Sequence, residues 1–258
     1  MRYDFVLATD LDGTFLGGSD AQRATLYRFL ETQRDNSLLV FVTGRDLDFI
    51  RSLFDESGFP RPDYIIGDVG TTVVRGDTFE PLPEVQDWVE ARWQNANDRV
   101  KAMLKDEPSL RLQDVDPERR VSYYYEPASL QPETIDKITS AGFDCITSAD
   151  VYLDVMPKGV AKGPTLLKFI EALGLHKDDV VTAGDTLNDL SLFQTDLQGV
   201  AMGNSEDKLV AAIRDLPNVY HSPKPGAAGI LDGLQHFGKI DPEAVPSETI
   251  PSELEKSL

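Results

Sequence analysis

The chain has 258 residues, with 44 acidic against 25 basic side chains and a formal net charge of −19. That length can bury one large core or two small ones, and the charge argues against nucleic acid and anionic membrane surfaces as partners. No apolar run approaches membrane-spanning length, and Met1-Arg2-Tyr3-Asp4 leads straight into a strand with no signal-peptide pattern.

The first element is an apolar run, Phe5-Val6-Leu7-Ala8-Thr9, which ends abruptly in Asp10-Leu11-Asp12-Gly13-Thr14. Such a run reads as a strand buried on both faces of a parallel sheet, which puts Asp10 at the carboxyl end where open α/β sheets keep their ligand crevice. Alternation alone would part Asp10 from Asp12, but a glycine at position 13 lets the chain turn both toward one site. Two clustered carboxylates call for a cation, and all-oxygen ligands suit a hard ion such as Mg2+.

Ser19 or Asp20 can cap a helix with Leu26, Phe29 and Leu30 on its apolar side. Leu38 to Val42 is a second buried strand ending in Thr43-Gly44-Arg45, and Asp46 caps a helix that Gly58 stops. Tyr64-Ile65-Ile66 is a third strand, with a hairpin start in Val69 to Val74. This β-α-β-α-β order opens a doubly wound, Rossmann-like parallel sheet of the α/β class.

The pattern then changes. A long charged helical stretch from about Glu84 to Lys105 is followed by strands at Leu110 to Val115 and Val121 to Tyr125. A helix from about Gln131 to Ala141 precedes strands at Phe143 to Thr147 and Tyr152 to Met156. One helix and two strands, given twice, make an inserted αββαββ unit with an antiparallel sheet. The only cysteine, Cys145, lies in one of its strands and reads as a small core residue; its solitude fits a reducing, cytoplasmic setting.

The first pattern resumes with a helix opened by Lys162-Gly163-Pro164, then the strand Val180 to Ala183 ending in Gly184-Asp185-Thr186-Leu187-Asn188-Asp189. Strands at Gly199 to Met202 and Val219 to His221 alternate with two more helices. Lys239 to Leu258 is polar and aperiodic and reads as a tail. The expected division is a discontinuous core, residues 1–80 and 157–238, an inserted cap, residues 81–156, and a tail, residues 239–258.

The order Asp10-Leu11-Asp12-Gly13-Thr14, Thr43, Lys162, then Asp185 with Asp189, with an insert between the second and third signals, resembles the haloacid-dehalogenase-like phosphohydrolases. Gly67-Asp68-Val69-Gly70-Thr71, Val121-Ser122-Tyr123, Leu153-Asp154-Val155-Met156-Pro157 and Gly226-Ala227-Ala228-Gly229-Ile230 bring it nearest to the sucrose-phosphatase group. The resemblance implies a phosphatase for a sugar phosphate, a disaccharide phosphate such as sucrose 6-phosphate or mannosylfructose phosphate, acting through an aspartyl-phosphate. It implies Asp10 as nucleophile and Asp12 as general acid and base. Mg2+ would be held by Asp10, Asp185 and the main-chain oxygen of Asp12, with Asp189 orienting the metal's waters. Lys162 and Thr43 would bind phosphoryl oxygens.

Gly44, Arg45 and Asn188 join Thr43 as expected substrate contacts on the core. On the cap, Arg120, Ser122 and Tyr124 share one face of a strand and are candidate sugar contacts, while Tyr123 and Tyr125 take the other face. Lys158 is a further substrate candidate. No partner beyond the small-molecule substrate is expected, and a monomer is compatible with the sequence. Two rivals stay open. A hexose phosphomutase or broad phosphatase of the same superfamily would share the core, the mutase needing inward cap arginines such as Arg111, Arg119 and Arg120. A non-catalytic module would have no need of Asp10, Asp12, Lys162 and Asp185 together.

Overall fold

In the computed structural model, which describes residues 2–56, 58–148 and 150–245, strand β1 (Phe5–Thr9) is buried at every position. It is followed by α1 (Asp20–Thr32), β2 (Ser37–Val42), α2 (Leu47–Leu53), β3 (Tyr64–Gly67) and β4 (Thr72–Arg75). Next come α3 (Pro83–Trp93), α4 (Asn97–Leu104), β5 (Leu110–Leu112), β6 (Val121–Tyr125), α5 (Pro132–Ser140), β7 (Phe143–Ser148) and β8 (Tyr152–Pro157). The chain continues through α6 (Lys162–Leu173), β9 (Val180–Gly184), α7 (Leu190–Phe193), β10 (Gln198–Ala201), α8 (Asp207–Ile213), β11 (Val219–His221) and α9 (Gly226–His236).

Seven strands form one sheet in the order β11-β10-β9-β1-β2-β3-β4, parallel except for the β3–β4 pair. Alternate residues of β1 feed opposite layers. Phe5 and Leu7 pack with Phe29 of α1, Ile50 of α2 and Ile230 of α9. Val6 and Ala8 pack with Leu166 and Phe169 of α6. The sheet is therefore doubly wound, and the apolar run of β1 is explained by burial on both faces. Because β1 lies between β2 and β9, the strand order reverses beside it, the place where such sheets open a ligand crevice.

The other four strands form an antiparallel sheet, β5-β6-β8-β7, backed by a separate apolar cluster that includes Trp93, Val100, Val121, Ile138 and Leu153. The expected single helix over Glu84 to Lys105 is two helices. Gln94 and Asn95 take left-handed φ angles of 54° and 53°, and the turn lets Trp93 and Val100 enter the same cluster. Asn97 secures it, accepting from Trp93 Nε1 at 2.6 Å and donating to the Pro117 carbonyl at 2.9 Å. The expected strand to Val115 stops at Leu112, and Val115 is exposed.

At the other end, Ile240 is buried against the first layer and Val245 packs beside it, so residues 239–245 are not a free tail. The remainder of the expected tail, residues 246–258, lies outside the described residues. No helix among the described residues is long and apolar enough to cross a membrane.

Candidate active site

Asp10 follows β1 and Asp185 follows β9, its parallel neighbour, so the two carboxylates emerge side by side. The loop between Asp10 and Phe15 turns sharply at Gly13, whose φ is +75°. A Cβ there would fall 2.1 Å from Asp185 Oδ2, so position 13 needs glycine both for its backbone angle and for the close approach. Thr14 Oγ1 donates to Asp185 Oδ1 at 2.7 Å, and Asn204 Nδ2 donates to the Gly13 carbonyl at 3.0 Å.

Lys162, the first residue of α6, is wholly buried at the centre of this arrangement. Its Nζ donates to Asp10 Oδ1 at 2.7 Å, to Asn188 Oδ1 at 2.8 Å and to Asp189 Oδ1 at 2.7 Å. Asp10 Oδ2 is left without a hydrogen-bond partner among the described residues. Side-chain oxygens of Asp10, Asp185 and Asp189 lie within 4.8 Å of one another. Three buried carboxylates thus face one buried ammonium.

The titration of these groups reports the imbalance. Desolvation pushes Asp10 up to about 8 against the pull of Lys162, with Asp189 and Asp185 adding repulsion. Desolvation likewise raises Asp185 to about 7, opposed by the Thr14 hydrogen bond. Burial alone would lower Lys162, but Asp10 and Asp189 hold it above its ordinary value. Carboxylates that resist ionisation in an all-oxygen cluster form a site lacking positive charge, and a hard divalent cation supplies it. The residues present fit such an ion.

Asp189, one of the three carboxylates of this group, is also tied into the protein. Its Oδ2 accepts from the backbone amides of Asp185 and Thr186, both at 3.0 Å, while Oδ1 meets Lys162. With both oxygens engaged, Asp189 braces the Asp185 loop and fixes Lys162. The Asp12 carboxylate stands outside the metal-capable group. Arg45 grips it with a two-pronged fork, Nε to Oδ2 at 2.8 Å and Nη2 to Oδ1 at 3.0 Å, and the guanidinium stacks on Phe49 at 4.2 Å.

A cavity of about 420 Å³ lies between this edge and the second sheet. The core contributes Asp10, Asp12, Gly44, Arg45 and Asn188. The second sheet contributes Gln113, Arg120, Tyr124, Ser148, Tyr152 and Asp154. A roomier groove of about 620 Å³ runs along α3 and α4 near Glu90 and Asp116, but it holds none of the paired buried charges described above.

The expected site residues divide accordingly. Asp10, Asp12, Lys162, Asp185, Asp189 and Asn188 converge. Thr43 is buried at the end of β2, where its hydroxyl accepts from the Arg45 amide at 3.1 Å. Arg120 and Tyr124 reach the cavity, but Arg120 is already paired with Asp154 and Asp68. Lys158 does not reach it. Pro157 ends β8 and Gly159, with φ +72°, turns the chain, leaving Lys158 exposed and absent from the lining. Tyr152 and Asp154 are not among the expected residues, although alternation along β8 could have paired them with the Arg120, Ser122 and Tyr124 face. Asn204, in the loop after β10, carries no sequence signal that points here.

The family model described as sucrose-6F-phosphate phosphohydrolase matches residues 3–238. A glucosylglycerol-phosphate synthase of Pseudomonas anguilliseptica is 41% identical over 244 residues, 94% of this chain. The chain spans only 32% of that relative, and 61% of the tobacco and Arabidopsis sucrose-phosphatases it also matches. The mannosylfructose-phosphate phosphatase of Agrobacterium fabrum is 32% identical over 254 residues, 90% of this chain and 96% of that one. Among solved structures, a sucrose-phosphatase from a Synechocystis species, in complex with sucrose and phosphate, superposes with a TM-score of 0.80 at 26% identity, covering 92% of this chain and 99% of that one. With its strand-end carboxylates, buried lysine and second sheet in place, the chain belongs to the sucrose-6F-phosphate phosphohydrolase family.

Proposed function

We propose that this protein is a Mg2+-dependent phosphatase that hydrolyses a phosphorylated glycoside of about disaccharide size through an aspartyl-phosphate on Asp10. The observation that carries this reading is the hold of buried Lys162 on one oxygen of Asp10. It leaves the other oxygen to attack while lowering the repulsion between that carboxylate and an incoming phosphate. Phosphate-monoester hydrolysis is among the slowest uncatalysed reactions, so nearly all the rate must come from such placement of charge.

Asp10 attacks phosphorus, the phosphorus–oxygen bond to the sugar breaks, and Asp12 gives its proton to the departing oxygen. Asp12, now ionised, takes a proton from a water whose oxygen attacks the phosphoryl group, and Asp10 is regenerated as phosphate leaves. Asp10, Asp185 and the main-chain oxygen of Asp12 would hold Mg2+, which when bound offsets the negative charge of the phosphoryl oxygens. Arg45 holds both oxygens of Asp12 in a two-pronged fork in the resting site. For the first half the fork opens, and the guanidinium, already on the cavity wall, is free to meet the phosphoryl group. Thr43 supports this through its contact with the Arg45 amide.

The roof of the cavity is lined by hydroxyl, amide and ring groups, with Gln113, Tyr124, Ser148 and Tyr152 placed to meet sugar hydroxyls and ring faces. A phosphomutase would need an uncommitted cation there for a second phosphate. Arg120 is paired with Asp154 and Asp68, Arg119 with Glu90 and Glu118, and Arg111 is stacked on Tyr124 at 4.2 Å. The hydrolase is therefore favoured over the mutase. The names of the relatives suggest sucrose 6-phosphate, mannosylfructose phosphate and glucosylglycerol phosphate as the compounds to try.

Phosphate release from these three compounds, from hexose 6-phosphates and from a small aryl phosphate, with and without Mg2+, tests the reading. Hydrolysis of at least one glycoside phosphate ahead of the hexose phosphates is the expected result. No release from any of them, or isomer exchange without release, would overturn it.

A further inference from the structure

Among the described residues the two sheets share no buried apolar cluster. The clusters built on β1 to β4 and β9 to β11 contain no residue of β5 to β8, and only α3 contributes to both sides, with Val85 in one cluster and Trp93 in another. Near the cavity β7 packs beside Leu187 in the turn after β9, and ion pairs also cross between the sheets. Arg120 Nη1 donates to Asp154 Oδ1 at 2.6 Å and to Ser122 Oγ at 2.5 Å, all on the second sheet. Arg120 Nη2 reaches across to Asp68 Oδ1 on the core at 3.2 Å. All three charged side chains are close to fully buried. A second crossing pair, Lys208 with Asp150 at 2.6 Å, is exposed on both partners and so contributes little to docking.

Asp68 is a particular kind of anchor. It and Val69 occupy left-handed backbone angles, φ 51° and 60°, and a β-branched residue held there is strained. The turn is pinned by Asp68 N to the Arg45 carbonyl and Val69 N to the Thr43 carbonyl, both at 3.0 Å. The carboxylate that receives Arg120 is thus one residue from the amides bracing the Thr43-Gly44-Arg45 loop, and Arg45 in turn holds Asp12.

We propose that Arg120 is a positioning residue: with Asp68 it forms the strap that docks the second sheet over the strand ends. This rests on the phosphatase reading of the cavity. The strap is built to release. If the Asp68 contact breaks, Arg120 keeps Asp154 and Ser122 on its own sheet, and Asp68 keeps Thr72 Oγ1 at 2.9 Å. Arg120 keeps a counter-charge and Asp68 keeps a hydrogen bond while water reaches it as the sheets part, so opening avoids much of the penalty that locks such pairs. The docked state lowers the apparent KM for a substrate that touches both sheets, because only the docked fraction binds it fully.

Asp68→Asn tests the strap without stranding a charge, since Arg120 and Asp154 remain a pair. Arg120→Lys tests it from the other side, because the guanidinium spends Nη1 on Asp154 and Nη2 on Asp68, and a shorter side chain with one nitrogen does not reproduce that fork. Each variant should raise KM for the glycoside phosphate on the order of tenfold through loss of the docked population. Asp68→Asn should leave kcat for a small aryl phosphate unchanged, and the double variant should be no worse than either single one. An unchanged glycoside KM, or an equal loss with both substrates, would overturn the strap. Small-angle scattering of the wild type and Asp68→Asn gives a readout independent of turnover. A larger maximum dimension in the variant supports the strap, and identical profiles overturn it. A wild type that is inactive on every phosphate ester would sink the phosphatase reading and leave the scattering to decide the strap.

Discussion

The two sheets meet the cavity in opposite ways. The seven-stranded sheet presents strand ends: Asp10 after β1, Thr43 after β2, Asp185 after β9. The four-stranded sheet presents a face, with Gln113, Tyr124, Tyr152 and Asp154 turned toward the same space. A residue at the end of a strand buried on both faces has its position set by the whole core, since a shift there would disturb packing on both layers. A residue on a sheet face stands on a backbone whose other side alone is buried, and it can change without moving the core. On the proposed reading, chemistry sits where the structure is stiff, and recognition where side chains are exchangeable. Substitutions at the ends should damage every substrate alike, and substitutions on the face should damage only those that reach it.

The largest effect should come from Asp10→Asn, which removes the attacking oxygen while keeping the side chain's size. Turnover of glycoside and aryl phosphates should fall together by a factor on the order of 10⁴–10⁶, as for other nucleophile deletions. Residual rates near those of the wild type with either ester would remove Asp10 from the mechanism. Asp12→Ala should cost a factor on the order of 10²–10⁴, the usual range for proton transfer assistance. Because leaving-group protonation and water activation both suffer, a radiolabelled phosphoenzyme should be detectable with a good leaving group. Steady-state turnover at the wild-type level would contradict the acid and base role.

Metal addition probes the strand ends alone. Without metal, burial pushes Asp10 up to about 8 and Asp185 up to about 7, above the ordinary carboxylate range. A carboxylate raised on folding contributes stability below its unfolded pKa, and that contribution is lost as pH rises through the folded value. The metal-free protein should therefore lose stability between about pH 4 and pH 8. On the proposed reading magnesium would take the place of those protons, so it should stabilise more at pH 8 than at pH 6. At a hundredfold excess over its dissociation constant the gain is about 2.7 kcal/mol. Thermal melts with and without Mg2+ at the two pH values measure this, and equal shifts at both would refute the link.

The ends were legible in the sequence and the face was legible only in part, for a physical reason. A buried parallel strand announces itself as an apolar run, and the residues just after that run must lie at the sheet edge, so Asp10, Thr43 and Asp185 could be placed there from the runs, while Lys162, at the start of a helix, was tied to them by the family resemblance. Alternation also told which side of β6 Arg120 and Tyr124 share. It could not tell that Arg120 would be claimed by Asp68 and Asp154, 52 and 34 residues away, because those pairings depend on how one sheet docks on the other. Nor could it show the break at Gln94 and Asn95, where non-glycine residues take left-handed angles against local preference so that Trp93 can be buried. Asp189 shows a third limit. Its spacing from Asp185 was visible, but its hydrogen bonds to the Asp185 and Thr186 amides come from a tight turn that sequence spacing does not reveal.

The smallest effect should come from the face, and it is the sharpest test of the contrast. Tyr124 is half-buried between the Arg111 guanidinium, 4.2 Å from its ring, and the Tyr152 ring at 5.8 Å, so its orientation is fixed before any ligand arrives. Its substitution by alanine removes a preset ring and a hydroxyl from the roof but touches none of the strand-end groups. Ring contacts of this kind are worth about 0.5–1.5 kcal/mol beyond the area they bury, enough to lower kcat/KM for a glycoside phosphate by up to about tenfold. An aryl phosphate too short to reach the roof should lose less, so the ratio of the two kcat/KM values should fall. If Tyr124→Ala leaves that ratio where it was, the roof does not recognise the sugar, and the division of labour between ends and face fails at the point where it is most easily broken.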